Sequence, residues 1–360
     1  MLNINTMIPI DGSYMEGGGQ IVRTALALST LTGKPFKIDK IRHHRPKPGL
    51  KPQHLSCIDA LQKLAQAQVK GAQPGATAIE FIPGRLTSGT FSIDIGTAGS
   101  ITLLLQAVLL PCLFADAPVR LSITGGTDTR WSIPIDFFSH VILPFFRQLA
   151  SVEIDRLQRG FYPKGKGLVD LSIVPHYHLG DPENRNGFLR DIRKAAAKIH
   201  LISKPEIVVI KGVSSASSRL KKAHVAERQS EGATKTLGNL YPVNIKNEYQ
   251  DTASAGSVLT IWGVSPEGKA FMGADALGER GLRAEKVGAA AAQKLLKILH
   301  THAVIDRHLA DNLIPLLALV GGSIKTDKIT GHIRSNIYVC EQFLDVTFNV
   351  DEMSHTISAV

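Results

Sequence analysis

The chain has 360 residues, 44% of them hydrophobic, which suits two domains, or one large domain with an insert, around a sizeable core. Its three cysteines, Cys57, Cys112 and Cys340, are too scattered for a disulfide framework or a cysteine-rich zinc site, and no apolar run is long enough to span a membrane. The net charge of +10 favours a polyanionic partner, and Met1 to Pro9 lack the pattern of a signal peptide, so a cytoplasmic location is expected.

A strand is predicted at Ile8 to Ile10 and a helix at Ile21 to Leu31, stopped by Gly33. Between them lies Glu16-Gly17-Gly18-Gly19-Gln20, with Arg23 one turn on. Glycines let backbone N–H groups approach a ligand, and a helix start favours anions. The spelling is neither a P-loop nor a dinucleotide fingerprint, so it reads equally as a phosphate corner or as a tight packing turn. Lys37 to Lys51 then gathers Lys37, Lys40, Arg42, Arg45, Lys47 and Lys51, with Asp39 as its only acid. Pro46, Pro48 and Pro52 make this a stiff basic loop.

Helical spacing follows at Leu55, Ile58, Leu61 and Leu64, and again from Gly99 to Phe114, which carries Gln106. Val119 to Ile123 alternates as a strand, Asp136 to Leu149 reads as a helix and Val169 to Val174 as a strand. Gly180 to Gly187 is a polar break. Beyond it come a strand (Glu206 to Lys211), a basic helix (Ser217 to Gln229) and strands at Ser257 to Val264 and Ala270 to Met272. Helices at Lys286–Leu299 and His308–Leu319 resume the pattern of the first 180 residues. The expected organisation is α/β. A large domain of repeated βα units spans residues 1–185 and 284–360, and a smaller α/β domain is inserted at 186–283.

Several polar motifs fall where this pattern puts loops. They are Glu16-Gly17-Gly18-Gly19-Gln20 with Arg23, Arg45-Pro46-Lys47-Pro48-Gly49-Leu50 with Gln53-His54, Gly125-Gly126-Thr127-Asp128, Gly160-Phe161-Tyr162-Pro163, Leu309-Ala310-Asp311, and His332 with Asn336. In combination and order they resemble the RNA 3′-terminal phosphate cyclase family, over about Pro9 to Phe348. The resemblance implies three βα repeats with a small inserted domain. It also implies ATP-dependent conversion of an RNA 3′-phosphate into a 2′,3′-cyclic phosphate, through a histidine–AMP adduct and an RNA adenylate, with release of AMP and pyrophosphate.

Such chemistry asks for a neutral imidazole as nucleophile and for cations over the phosphates. Of thirteen histidines, His332 matches the family's nucleophile position, in a motif where Ser335 replaces a threonine. The resemblance implies further roles. Gln106, His308, Leu309, Ala310, Asp311 and Asn312 would bind ATP. Arg23, Arg42, Arg45, Gln53 and His54 would grip the RNA end, with Arg23 also catalytic, facing His332. Glu16 would act beside the nucleophile and hold Mg²⁺ or Mn²⁺.

Without the resemblance each residue has a plainer reading: His332 an exposed loop histidine, Asp311 a first-turn acid, Lys47 and Lys51 general RNA attraction. Lys166 stands where the family usually has glycine, and would be strained at positive φ. Two other functions fit less well. A non-catalytic cyclase-like protein of ribosome assembly would lack His332, and an enolpyruvyl-transferase-like enzyme would not need it.

Overall fold

The computed structural model describes residues 7–180 and 184–360. Residues 1–6 and 181–183, which hold most of the N-terminal segment and part of the polar break, lie outside the described residues.

Three of the four sheets among the described residues repeat one plan. In the first, β1 (Ile8–Asp11) leads through α1 (Gly19–Thr32) to β2 (Phe36–Asp39), then through α2 (Pro52–Leu64) to β3 (Gln68–Lys70) and β4 (Ile79–Ile82). β1 pairs parallel with β2, while β2–β4 and β4–β3 are antiparallel, giving the order β1-β2-β4-β3. A parallel neighbour needs a crossover, which α1 supplies. The second copy runs β5 (Gly89–Asp94), α3 (Ile101–Cys112), β6 (Val119–Gly125), α4 (Ile135–Phe137), α5 (Leu143–Phe146), β7 (Ala150–Gln158) and β8 (Gly167–Pro175), in the order β5-β6-β8-β7.

The third copy is interrupted. After α6 (Arg185–Ala195) and β9 (Ile199–Leu201) comes a separate sheet: β10 (Val209–Ser217), α7 (Val225–Leu237), β11 (Val243–Gln250), β12 (Ser257–Val264), β13 (Ala270–Leu277) and α8 (Ala284–Leu299). α7 and α8 pack on this sheet around a core of their own, including Ile210, Leu259, Met272, Ala291 and Leu295. The third plan then completes with α9 (Arg307–Val320), β14 (Gly322–Lys325), α10 (Gly331–Phe343), β15 (Phe348–Asp351) and β16 (Thr356–Ala359), in the order β9-β14-β16-β15. β9, within residues 186–283, thus pairs parallel with β14, and α8, beyond 283, packs with α7.

α1 is buried along its length because helices from all three copies surround it: α2, α3 and α10 each pack on it. Its apolar residues Ile21, Val22, Leu26, Leu28 and Leu31 therefore need no solvent face. Gly33 ends it in the left-handed conformation, as expected.

Two expected helices differ. Asp136 to Leu149 is broken into α4, a π-helical turn at Phe138–Ile142, and α5. Pro144 has no N–H and blocks a regular ladder through this segment. The basic stretch Ser217 to Gln229 divides into a tight turn at Ser218–Ala223 and α7, with His224 left-handed between them. The residues from Arg185 onward, read as part of a polar break, begin α6.

Candidate active site

α1, α9 and α10 begin at one open cleft, lined by Glu16, Arg307, His308, Asp311, Thr330 and His332. Each helix start has N–H groups without intrahelical partners and carries partial positive charge, so the convergence favours an anion. Thr330 caps α10, accepting from Ile333 N at 3.1 Å. Asp306 caps α9, accepting from His308 N at 2.7 Å and Leu309 N at 3.0 Å. It also accepts from Gly273 N at 3.0 Å, tying the α9 start to β13. Burial pushes the Asp306 carboxyl up to about 6.

His332, in the first turn of α10, stands between two carboxylates. Its Nε2 is 3.4 Å from Glu16 Oε2, and its Nδ1 is 3.8 Å from Asp311 Oδ2. Asp311, then Glu16, raises the imidazole above its ordinary value, against burial and the Arg23 charge. Glu16 Oε2 also accepts from Arg45 Nη2 at 3.2 Å. The glycines make such close approaches possible. A Cβ on Gly331 would lie 2.7 Å from Glu16 Oε1, and one on Gly19 would lie 1.9 Å from His54 Nε2.

Asp311 is fixed from behind. Gln20 Nε2 donates to Asp311 Oδ1 and, at 3.0 Å, to the His332 carbonyl. Asn336 Nδ2 donates to the Asp311 carbonyl and to Oδ1, both at 2.8 Å, while its Oδ1 accepts from Thr24 at 2.6 Å. These polar groups form one wall of a neighbouring pocket. Leu105, Leu109, Phe138, Ile142 and Pro315 form the apolar wall. Gln106 joins both sides, accepting from Arg23 Nε at 3.0 Å and donating to Asn312 at 3.0 Å. An apolar slot with a few aimed polar groups suits a nucleobase or similar flat ring.

Arg23 is buried, and its Nη atoms make no hydrogen bond among the described residues. Burial lowers its pKa, opposed by Cys57 and Asp311. A buried guanidinium with free N–H groups is suited to phosphate oxygens. His54 lies beside it. Its Nδ1 accepts from Lys51 N at 2.9 Å, leaving Nε2–H to point at Gly19, where a Cβ would be 1.9 Å away. Burial and the Arg23, Arg42 and Lys51 charges push His54 down to about 3, so it stays neutral.

The sequence-derived residues thus divide. Glu16, Arg23, Arg45, His54, Gln106, His308, Asp311, Asn312 and His332 form one contiguous network around the cleft and pocket. Gln53 adjoins it, donating to the Ser100 carbonyl at 3.0 Å. Arg42 turns away, with Nη1 donating to the Lys47 and Gly49 carbonyls, and braces the basic loop. Leu309 and Ala310 face the core and do not line the cleft. Arg307 and Thr330 line it although sequence reasoning passed over them. Asp306 and Thr330 are cap-type residues just ahead of helical spacing, a signal that could have marked both helix starts.

Among the described residues no group of three or more His, Cys, Asp or Glu side chains is placed to hold a metal ion. Glu16 offers one carboxylate at the lip of the open cleft, which fits an ion carried mainly by phosphate and water oxygens and not a closed protein cage. No helix is long and apolar enough to cross a membrane among the described residues.

Fold and cleft define an α/β protein of three repeated units whose helix starts frame an open cleft with a histidine between two carboxylates. The family model for RNA 3′-terminal phosphate cyclase matches residues 14–350. A curated RNA 3′-terminal phosphate cyclase of Pyrococcus furiosus is 44% identical over 346 residues, 96% of this chain and 95% of the relative. The cyclases of Pyrococcus abyssi and Methanosarcina barkeri are 44% and 43% identical over 96% of this chain, and over 95% and 97% of their own lengths. The chain belongs to the RNA 3′-terminal phosphate cyclase family and is an enzyme of that family.

Proposed function

We propose that the protein is an ATP-dependent RNA 3′-terminal phosphate cyclase working through His332. The observation that carries this is the placement of His332 between Asp311 and Glu16 in a cleft framed by three helix starts. Asp311 favours the tautomer with the proton on Nδ1 and leaves the Nε2 lone pair facing the cleft. Nε2 attacks the ATP α-phosphorus; the N–P bond forms as the α–β P–O bond breaks, and pyrophosphate leaves with the electron pair. Asp311 offsets the positive charge left on the ring. An oxygen of the RNA 3′-phosphate then displaces the imidazole, breaking the P–N bond and giving an RNA adenylate. The adjacent 2′-OH attacks the terminal phosphorus, loses its proton and expels AMP.

In this reading the pocket of Gln106, Asp311 and Asn312, with His308 on the adjoining cleft, takes the nucleotide, and Arg23, Arg45, Gln53 and His54 take the RNA end. A divalent ion with Glu16 as its one protein ligand would neutralise phosphate charge. The domain division at 186 and 283 is likewise a proposal; the pairing of β9 with β14 and the packing of α8 on α7 favour edges nearer 207 and 299.

The test is labelled ATP with Mg²⁺ or Mn²⁺. An acid-labile protein–AMP adduct is expected in wild type and absent in His332→Ala, with cyclisation of 3′-phosphate but not 3′-hydroxyl RNA. An adduct that survives His332→Ala would overturn the nucleophile, and indifference to the 3′ end would overturn the reaction.

A further inference from the structure

Trp131 is 94% exposed and Tyr162 is 76% exposed. Trp131 also sits at φ 70°, in the left-handed region that bulky residues avoid. Such strain persists where surrounding structure imposes it, and it concentrates at ligand sites. A ring held in water on a strained turn contributes nothing to the core.

The two turns lie side by side, with Asp128 bridged to Phe161. Both press on the Gly96–Ser100 loop: a Cβ on Gly126 would lie 2.6 Å from the Ala98 carbonyl, and one on Gly165 would lie 2.8 Å from Ala98 Cα. That loop receives Gln53 through the Ser100 carbonyl, next to His54 and the start of α1. On its other flank the Trp131 turn leads into α4, whose Phe137 packs edge-on against His308, and then to Phe138, which lines the pocket beside the cleft. The two turns therefore adjoin the loop that meets Gln53, and on their other side they meet the inserted sheet, where Lys164 N donates to Ser254 at 3.1 Å and a Cβ on Gly256 would lie 2.3 Å from Phe161. Lys164 and Lys166 are exposed on the Tyr162 turn, while Arg130 is paired with Glu279 at 2.8 Å. The turn thus adds positive charge to exposed rings.

We infer that Trp131 and Tyr162 form a stacking platform for the bases of single-stranded RNA just upstream of the 3′ end, with Lys164 and Lys166 facing its backbone. Every base has a π-face, so stacking holds a strand without reading its sequence, which suits an enzyme that acts on ends. The inference rests on the cyclase reading for what occupies the cleft.

The chain has two tryptophans, and Trp262 is buried, so solvent-exposed indole emission reports Trp131. Titration of wild type with a 3′-phosphate oligoribonucleotide should quench that emission, and a nucleoside 3′-phosphate should not. Trp131→Ala should raise the oligonucleotide KM about tenfold, and Trp131→Phe should recover most of it. Tyr162→Ala should act in the same direction, with the histidine–AMP adduct still formed in all three. An oligonucleotide ending in 3′-hydroxyl should still quench, at higher concentration. This arm reads the platform even if cyclisation fails, so failure of the reaction and failure of the platform are separable. Binding without quenching, an equal quench by the mononucleotide, or an unchanged KM in both alanine variants would overturn the assignment.

Discussion

Asp311 Oδ2 faces His332 Nδ1 at 3.8 Å, while the other ring nitrogen faces Glu16 at 3.4 Å. The two carboxylates therefore act on different nitrogens. In the proposed mechanism Asp311 would set which nitrogen carries the proton, and Glu16 would stand where the phosphates arrive. Asp311 has the stronger effect on the imidazole, and the net shift is upward.

This has a pH consequence. Only neutral imidazole attacks phosphorus, so adduct formation should fall on the acid side with a midpoint above the ordinary histidine value of 6.5. Asp311→Asn keeps an oxygen for Gln20 but removes the charge, and should move that limb to lower pH while slowing adduct formation. The adduct rate measured against pH in both proteins checks this; an unmoved limb would count against the pairing. In stability the sign is reversed. The contact of protonated His332 with its carboxylates is fully present below 6.5 and is lost as pH rises through the raised folded value.

Asn336 should matter more for stability than its neutral side chain suggests. It holds Asp311 with two bonds and accepts from Thr24. Asn336→Ala leaves these buried groups short of partners and should cost about 1–3 kcal/mol in urea unfolding, with weaker ATP binding. Thr24→Val should cost less, and the double variant should show coupling of roughly 0.5 kcal/mol or more. Strict additivity would mean that the network is not one unit.

Several helices were legible because spacing writes them directly, whereas α6 and α10 begin in stretches read as a polar break and a loop. Ile21 to Leu31, His308 to Leu319 and Lys286 to Leu299 all fall within observed helices. Short strands were not. β9 and β14 are too brief to show alternation, so the helices after Ala284 point to a third copy but its sheet is visible only through the strand pairing. Lys166, in place of the family's usual glycine, does lie at positive φ, 55°. In the site, chemistry-bearing types were legible from the motifs, but their second roles were not. Nothing in the sequence distinguishes Arg42, which braces its own loop, from Arg45, which reaches Glu16. The distinction depends on side-chain direction within an irregular loop.

Two glycines should respond differently to a single methyl. A Cβ on Gly19 meets the buried His54 ring at 1.9 Å, and that ring is held by Lys51, so Gly19→Ala must displace it. The expected cost is about 1–3 kcal/mol, with loss of RNA-end binding. On Gly331 the Cβ meets the end of Glu16, a half-exposed side chain whose contacts with Arg45 and His332 are themselves half-exposed and can shift. Gly331→Ala should therefore leave the unfolding midpoint nearly unchanged and lower the rate of adduct formation. Equal destabilisation in the two variants would show that Glu16 is held more firmly than its exposure indicates.

Arg159 tests how the inserted sheet is joined to the rest. Its fully buried guanidinium donates to Asp136 Oδ1 at 2.9 Å, to Asp128 at 3.3 Å, and to Glu248 of β11 at 2.7 Å. One cation thus holds acids from the second repeat and from the insert. Arg159→Met leaves three carboxylates unbalanced and should cost about 3–5 kcal/mol near neutral pH. The cost should depend on pH. Burial first, then Asp128 and Glu248, push the Asp136 carboxyl up to about 6 against the pull of Arg159. A raised carboxyl contributes stability that is fully present below its ordinary 3.8 and is lost as pH rises through the folded value. Without Arg159 that folded value rises further, so a proton can partly replace the missing cation. The deficit of Arg159→Met, read from urea midpoints, should shrink as pH falls from about 7 to about 5. A deficit that is the same at both would show that the loss comes from packing and not from charge.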